Sequence, residues 1–281
     1  MKIVSFEFEG NRSFGCLTPR GIVDVGRHKG QTNVSVRAFL DDWQDLSRFE
    51  TLPADYALTD VLLLPPIPDA QRVLCVGLNY KSHIAETGRE PPKFPMLFNR
   101  YWDTLVGPNE PILRPRISET FDFEGELAFV IGRGGRNIPK AEALGHVAGY
   151  TCFNDGSVRE FQFHTVQWLP GKNFWRSGSF GPYLVTPDEV GELDDINLIT
   201  RLNGEVVQQA RLDDLLFGVA DLVSYISTFI PLNPGDVVAT GTTGGVGAFR
   251  KPPLWMKPGD RVEVEIDRVG LLVNEVEDDP S

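Results

Sequence analysis

The stretch FDFEGELAFVIG, residues 121–132, decides which fold and which chemistry to expect of this chain. Side chains alternate along a strand, so one face of it is apolar apart from a glycine. The opposite face carries Glu124 and Glu126 and then continues with Ala128 and Val130. Ionised carboxylates are costly to bury without a partner. The two glutamates therefore lie either on a solvated surface, which is common for such pairs, or against a cation.

The apolar continuation of this face favours the cation. It places Glu124 and Glu126 at the mouth of a pocket, about 6–7 Å apart along the strand. Oxygen ligands without a nearby Cys or His favour Mg²⁺, with Mn²⁺ or Ca²⁺ as alternatives. Asp155 ends the apolar strand GYTCFND and is a candidate third ligand, although an Asx turn would also explain it.

Three polar residues follow Asp155 along the chain. Arg159 and Gln162 lie at i+4 and i+7, and if a helix begins at Asp155, they share one face with Lys172. Such side chains suit an anionic, oxygen-rich substrate. Each of them alone could equally be a solvated surface residue.

A histidine–glutamate pair occurs in NYKSHIAETG, residues 79–88. His83 and Glu86 are spaced i, i+3 and become neighbours on one helical turn. A carboxylate that orients an imidazole is a usual arrangement for activating water. A surface pair without a catalytic role is the alternative. The polar composition of the segment and Gly88 suit a mobile lid.

The glycine-rich stretch ATGTTGGVG, residues 239–247, follows a predicted strand. It lacks the Lys-Ser/Thr of a P-loop and does not match G-x-G-x-x-G, so nucleotide binding is not expected. Its backbone N–H groups could cradle a carboxylate or an oxyanion.

Composition excludes several classes of protein. The 281 residues carry a net charge of -12, and the 41% of hydrophobic residues suffice for a sizeable core. An acidic chain is a poor partner for nucleic acid or an anionic membrane. No apolar run reaches the length of a membrane span, and MKIVSFEFEG lacks a signal-peptide core. We therefore expect a soluble, cytoplasmic protein.

The pattern of strands and helices predicts an α+β fold that is mainly β. Strands outnumber helices without regular alternation, which favours an antiparallel or mixed sheet. Helical periodicity is found at residues 34–46 and, most clearly, at 212–230. The proline-rich LLLPPIPDA predicts a boundary between a small N-terminal α/β domain, residues 1–68, and a main domain, residues 69–281.

Seven motifs occur in an order typical of one family. They are GLNY-x-x-H-x-x-E (77–86), F-E-G-E-L-A-x-V-I-G (123–132), G-Y-T-x-x-N-D-x-S-x-R-x-x-Q (149–162), G-K (171–172), G-P-x-L-V-T (181–186), N-G-E (203–205) and P-G-D-V-V-x-T-G-T (234–242). Through them the chain resembles the fumarylacetoacetate hydrolase family over about residues 72–276. The resemblance implies a rolled, mixed β-structure with flanking helices, usually assembled as a homodimer.

The resemblance also assigns roles to individual residues. It makes Glu124, Glu126 and Asp155 the metal ligands, and His83 and Glu86 a water-activating pair on a lid. It gives Lys172 the role of stabilising negative charge. The remaining positions that it implies contact the substrate are Tyr80, Arg159, Gln162, Gly241 and Thr242. Asn173 and Thr243 depart from the pattern of relatives and are expected to bear on substrate identity.

The activity implied is hydrolysis of a carbon–carbon bond in an acylpyruvate or related diketo acid, such as a fumarylpyruvate-like or diketo-deoxy-sugar-acid-like substrate. Activated water would attack the distal carbonyl, and a metal-stabilised enolate would leave. The same site could decarboxylate an oxaloacetate-type acid, or catalyse keto–enol or 2-hydroxymuconate-type isomerisation. A catalytically silent metal-binding protein is the rival of another class.

Overall fold

The computed structural model describes residues 1–281, except for the side chains at positions 42 and 44. Strands dominate the described backbone. They are β1 (Lys2–Phe8), β2 (Asn11–Thr18), β3 (Gly21–Asp24), β4 (Leu62–Leu63), β5 (Val73–Gly77), β6 (Met96–Arg100), β7 (Leu105–Val106), β8 (Ile112–Arg114), β9 (Phe121–Asp122), β10 (Gly125–Ile131), β11 (Val147–Asn154), β12 (Ser157–Val158), β13 (Gly178–Val185), β14 (Asn197–Leu202), β15 (Glu205–Arg211), β16 (Val237–Thr242), β17 (Arg261–Ile266) and β18 (Gly270–Asp278).

The large sheet follows the order β3-β2-β1-β13-β11-β10-β16-β5-β6, with β4 paired to β1 and β7 to β13. A second sheet has the order β15-β14-β17-β18-β8, and β9 pairs with β12. Most neighbours are antiparallel, but β16 with β5, β13 with β7 and β18 with β8 are parallel. These mixed sheets confirm the predicted α+β, mainly β fold.

Strand β10 lies inside the large sheet and is buried on both faces. Leu127 and Phe129 pack into a core cluster that includes side chains of β17 and β18. Ala128 and Val130 pack into a different cluster, which contains residues of the N-terminal segment. The alternation of faces predicted for this strand is therefore correct, and Ala128 and Val130 continue the glutamate face into an apolar interior.

Short helices connect the strands. The α-helices are α1 (Val25–His28), α2 (Lys81–Thr87), α3 (Arg159–Gln162), α4 (Leu169–Lys172), α5 (Pro187–Val190) and α6 (Val219–Phe229), and the 3₁₀ helices span Val36–Thr51, Leu58–Asp60, Trp102–Thr104, Lys140–His146, Leu212–Asp214 and Gly247–Phe249. The segment predicted as a helix at residues 34–46 is thus 3₁₀ rather than α. None of the described helices is long and apolar enough to cross a membrane.

The helix predicted over residues 212–230 is shorter than the periodicity suggested, and its cause is a tertiary contact. Asn79 accepts from the backbone N–H of Leu216 at 2.7 Å and, through its side chain, from that of Phe217 at 2.9 Å. These bonds take the chain out of helical geometry, and helix α6 begins only after Gly218. The apolar periodicity carries no information about this partner, which lies more than 130 residues away.

Residues 1–68 are joined to the large sheet by backbone pairing. Strand β1 runs antiparallel to β13, with Lys2 opposite Val185. Val36 and Leu40 add side chains to the cluster that covers one face of β10. The N-terminal strands therefore extend the main sheet, and a separate domain of residues 1–68 stays a prediction.

Candidate active site

The ends of three neighbouring strands bring the predicted metal ligands together. β10 and β11 are antiparallel with Gly125 opposite Asn154, so the start of one lies beside the end of the other. Glu124 and Asp155 flank this pair, and the N–H of Asp155 donates to the carbonyl of Glu124 at 2.9 Å. Glu126 lies opposite Thr242 at the end of β16. Sheet register therefore unites acids that are up to 31 residues apart in the sequence.

Lys172 lies among these acids. Its Nζ is 2.6 Å from Oε2 of Glu124 and 2.7 Å from Oδ2 of Asp155, and all three residues are buried. Helix α4 reaches this place because Gly171 packs directly on α3. A Cβ at Gly171 would lie 2.4 Å from the backbone nitrogen of Gln162, closer than real Cβ atoms approach.

Arg159 lies on the other side of Glu124. Its Nη1 is 2.6 Å from Oε1 of Glu124 and 2.8 Å from Oε1 of Gln162, and its Nε donates to Oδ2 of Asp122 at 2.8 Å. Its Nη2 is buried without a hydrogen-bond partner among the described groups. Helix α3 begins at Arg159 rather than at Asp155, because β12 comes between them. The predicted neighbours nevertheless meet.

Arg100 belongs to this site and escaped the sequence analysis. Its guanidinium is fully buried and donates to Oδ1 of Asp155 at 2.7 Å, to the carbonyl of Gly156 at 2.9 Å and to Oγ of Ser177 at 2.7 Å. Asp155 is thus held by a cation on each oxygen. In the sequence, Arg100 is visible only as an arginine at the end of the short strand β6. Arginines at such positions are usually solvated, so nothing marked this one as buried.

Burial and neighbouring charges separate the pKa values of the two glutamates. Burial alone would raise the pKa of Glu124, but Lys172 and Arg159 outweigh it and lower this pKa to about 2. Burial raises the pKa of Glu126 well above its ordinary value, and the charges of Asp155 and Glu124 add to this effect. Glu124 is therefore firmly ionised, whereas Glu126 readily holds a proton.

Lys172 keeps its charge in this environment. Burial lowers the pKa of a lysine, but Asp155 and Glu124 together raise it by more, so the pKa of Lys172 lies above its ordinary value. A lysine of this kind acts as a fixed positive charge rather than as a base.

The histidine–glutamate pair forms as predicted. His83 and Glu86 lie on α2, and Nδ1 of His83 is 2.7 Å from Oε1 of Glu86. The second carboxylate oxygen of Glu86 accepts from the N–H of Gly245 at 2.8 Å. The imidazole is buried and packs edge-on against Phe249, with the ring centroids 6.1 Å apart. The glutamate thus fixes both the ring and its place beside the glycine-rich loop.

The N–H groups of the glycine-rich loop bind carboxylates of the protein itself. Gly241 donates to Oε2 of Glu126, Gly245 to Glu86, and Gly247 to Asp122, each at 2.8 Å. The predicted contact of Gly241 with a substrate carboxylate stays a prediction, and its bond to Glu126 speaks against it. The loop thus holds these three carboxylates in position.

One cavity joins most of the predicted residues, and it encloses about 500 Å³, open solvent at its mouth included. It is lined, among others, by His83, Glu124, Glu126, Arg159, Gln162, Lys172, Thr242, Arg89, Phe98, Trp168 and Phe249. Two predicted substrate contacts do not line it. The N–H of Gly241 donates to Glu126, and Tyr80 is fully buried in the apolar core. A substrate contact by Tyr80 is therefore not supported by its position.

Gln208 is a second residue that sequence reasoning missed. Its Oε1 accepts from the N–H of Gly125, while its Nε2 donates to Oγ1 of Thr242 and to the carbonyl of Thr243. It thereby fixes strand β10, which carries Glu126, to the glycine-rich loop.

The two positions that depart from the pattern of relatives have partners in the structure. Thr243 is buried, and Asn173 accepts from the backbone N–H of Tyr101 at 2.8 Å. Both departures from the family pattern thus have structural partners.

The three acids fit a hard divalent cation. Glu124, Glu126 and Asp155 each offer a carboxylate oxygen, and these atoms lie within 4.8 Å of one another. Oxygen-only ligands of this charge suit Mg²⁺ or Mn²⁺. A carboxylate oxygen has two lone pairs, so it can accept from Lys172 and still coordinate an ion. The donor set is consistent with the predicted metal, and the identity of the ion stays a prediction.

A buried carboxylate group at the strand ends of a mixed β-structure, next to a histidine–glutamate pair, defines a class of enzymes that act on small organic acids. The profile of the fumarylacetoacetate (FAA) hydrolase C-terminal domain matches residues 72–277. The chain belongs to this family, as the motifs indicated.

Three similar proteins show the range of the family. The mitochondrial oxaloacetate tautomerase fahd2 of Xenopus laevis is 42% identical over 220 residues, which are 78% of this chain and 69% of that protein. The solved structure of fumarylacetoacetate hydrolase from Exiguobacterium antarcticum matches with a TM-score of 0.85 and 33% sequence identity, and the match covers 99% of this chain and 100% of that one. The structure of 5-carboxymethyl-2-hydroxymuconate delta-isomerase from Mycobacterium smegmatis is 30% identical with a TM-score of 0.80 and the same coverage.

Proposed function

We propose that this protein is a divalent-metal-dependent tautomerase that interconverts the keto and enol forms of a short 2-oxo dicarboxylic acid such as oxaloacetate. The observation that carries the proposal is the buried Nη2 of Arg159, which has no hydrogen-bond partner among the described groups although Arg159 lines the same cavity as His83, Glu124 and Glu126. A substrate carboxylate supplies the missing acceptor. The 42% identical relative acts, by its name, on such an acid.

The charge around the cavity suits an anionic substrate. Four buried carboxylates against three buried cations and a divalent ion leave one net positive charge: Asp122, Glu124, Glu126 and Asp155 against Arg100, Arg159 and Lys172. Arg89 also lines the cavity, and no described carboxylate forms an ion pair with it. We assign Arg89 to the distal carboxylate of the substrate.

His83 is the proton-transfer group of this proposal. Tautomerisation moves one proton between carbon and oxygen of the substrate, so it needs a group that takes the proton from one of these atoms and delivers it to the other. Glu86 binds Nδ1 of His83 at 2.7 Å, which leaves Nε2 as the reacting nitrogen. Phe249 packs edge-on against the ring.

Lys172 and Arg159 provide fixed positive charge beside the position where the substrate gains negative charge. A bound divalent cation would add Lewis-acid polarisation of the substrate carbonyl. Because both side chains are held by Glu124, they need no reorganisation during the reaction.

Hydrolysis of an acylpyruvate or related diketo acid is the second candidate. It is favoured by the 33% identical fumarylacetoacetate hydrolase, which shares the fold over nearly the whole chain. It requires a water molecule at His83 and room for the acyl part of the substrate, in addition to everything that tautomerisation needs.

Product analysis separates the two activities. The protein with Mg²⁺ is incubated with oxaloacetate, an acylpyruvate and a 2-hydroxymuconate-type acid, and the products are followed by NMR. We expect faster keto–enol exchange of oxaloacetate without loss of carbon. Pyruvate released from the acylpyruvate at a higher kcat/KM would favour the hydrolase, and pyruvate with CO₂ from oxaloacetate would favour a decarboxylase.

The oligomeric state and the cellular location of the protein are two further predictions. A homodimer is expected from the family resemblance, and light scattering on the purified protein measures its mass directly. The cytoplasmic location also stays a prediction, since the name of the 42% identical relative is that of a mitochondrial protein.

A further inference from the structure

The structure contains a buried acid, Asp122, that neither the metal site nor the proton-transfer pair uses. It is fully buried and accepts four hydrogen bonds: from N–H of Phe123 at 2.9 Å, from N–H of Gly247 at 2.8 Å, from N–H of Ala248 at 2.9 Å and from Nε of Arg159 at 2.8 Å. A buried carboxylate with this many donors is held in one orientation.

We propose that Asp122 is a positioning residue that fixes the substrate-binding guanidinium of Arg159 relative to the glycine-rich loop. The proposal rests on the proposed function, because it takes Arg159 as the partner of a substrate carboxylate. Asp122 contacts both groups: its carboxylate accepts from Nε of Arg159 and from the N–H groups of Gly247 and Ala248.

On the side of the arginine, Asp122 determines which N–H remains free. Asp122 binds Nε, while Gln162 and Glu124 share Nη1. These three acceptors engage Nε and Nη1 and leave Nη2 as the free donor. Without Asp122, the guanidinium could rotate toward Glu124 and form a two-pronged ion pair with it, which would use the donor intended for substrate.

On the side of the loop, Asp122 anchors the segment that carries Phe249. Gly247 approaches it so closely that a Cβ there would lie 2.6 Å from Oδ1 of Asp122 and 1.8 Å from the carbonyl oxygen of Leu254. Two residues later, Phe249 packs on His83. The carboxylate of Asp122 thus links Arg159, which we assign to substrate, to the loop that places Phe249 against His83.

The test measures binding of oxalate, an unreactive dicarboxylate, to the protein at a fixed Mg²⁺ concentration by calorimetry. Asp122→Asn keeps the shape of the side chain but turns one oxygen into a donor that faces other donors. We expect it to weaken oxalate binding about tenfold, and we expect a loss of the same size for Arg159→Gln. Because Asp122 acts through Arg159, the double variant should bind no more than about twofold more weakly than Arg159→Gln alone.

Asp236→Asn is the matched control. Asp236 is also buried, accepts from the N–H of Asn233 at 2.8 Å and pairs with Arg72, but does not line the cavity. Its variant should lose stability without losing oxalate affinity. If Asp122→Asn does not fold, Asp122→Ser replaces it, since the smaller side chain leaves room for a water that can accept from both neighbours.

The outcomes distinguish the two proposals. Unchanged oxalate affinity in a folded Asp122 variant, or an equal loss in the presence and absence of Arg159→Gln, overturns the positioning role alone. Unchanged affinity in Arg159→Gln overturns the assignment of Arg159 to substrate, and the positioning role with it.

Discussion

The ammonium nitrogen of Lys172 lies 2.6 Å from Oε2 of Glu124, inside the group of carboxylates that we assign to a metal ion. The same nitrogen is 2.7 Å from Oδ2 of Asp155. A metal ion bound there would neutralise the same buried acids as the lysine. This relationship makes the stability of the site, and not only its activity, sensitive to both cations.

Replacing Lys172 by methionine should destabilise the protein by about 3 kcal/mol, because two buried carboxylates lose their shared partner. Mg²⁺ should restore part of this loss and raise the Tm of the variant by more than that of the wild type. Thermal unfolding with Mg²⁺ and with a chelator measures both effects. Lys140→Met, which removes an exposed pair with Asp221, is the control and should change stability by less than about 1 kcal/mol. Equal Mg²⁺ shifts in wild type and Lys172→Met would contradict the shared role.

Binding of the metal ion should release a proton from Glu126. The pKa of this carboxyl is raised, so it holds a proton at pH values at which an ordinary glutamate is ionised. Coordination requires the carboxylate, and the ion must displace that proton. Metal affinity should consequently rise as the pH increases, until the proton is lost before the ion binds.

Calorimetric titration with Mg²⁺ in two buffers of different ionisation enthalpy counts these protons. Glu126→Gln should bind the ion more weakly and release none from this position. A proton count that is the same in wild type and Glu126→Gln would show that Glu126 is already ionised.

Replacing His83 by alanine should reduce turnover by about 10²–10⁴-fold, the usual contribution of a proton-transfer group. The affinity for Mg²⁺ should stay nearly unchanged, because His83 is not among the carboxylate ligands. Steady-state kinetics and metal titration of the same preparation measure the two quantities. His164→Ala, at an exposed position, serves as the control. Loss of metal binding with turnover preserved would refute the assignment.

Replacing Arg89 by glutamine should raise KM for oxaloacetate about tenfold and leave kcat within about twofold, because a distal carboxylate is bound equally in the ground and transition states. The KM for pyruvate-like monocarboxylates should not change. Lys93→Gln removes a positive charge four residues away that does not line the cavity, and it should have no effect. A fall in kcat at constant KM would exclude the proposed role of Arg89.

The sequence contained enough information to predict the acids and the histidine pair. Alternation placed Glu124 and Glu126 on one face, and the i, i+3 spacing made neighbours of His83 and Glu86. These relations are local in the sequence. The order of the motifs then indicated the family. The ligand geometry needed one further fact, the pairing of Gly125 with Asn154, that a strand pattern suggests but does not specify.

The residues that were missed or misplaced depend on contacts between distant parts of the chain. Arg100 reaches Asp155 over 55 residues, and Gln208 reaches the carbonyl of Thr243 over 35. The N–H groups of the glycine-rich loop were expected to cradle a carboxylate or an oxyanion, and Gly245 and Gly247 bind carboxylates of the protein itself. A glycine pattern indicates available donors but does not specify which acceptor the fold brings to them.

In our proposal, His83 and the metal site catalyse proton transfer on a 2-oxo dicarboxylic acid. The most direct measurement is the rate at which freshly dissolved enol-oxaloacetate converts to the keto form, followed by ultraviolet absorbance at fixed Mg²⁺. The rate with His83→Ala gives the background due to Mg²⁺ alone. We expect a wild-type rate far above this background, and chelation of the metal should abolish the difference. A wild-type rate equal to the background, with an acylpyruvate cleaved under the same conditions, would contradict the proposal.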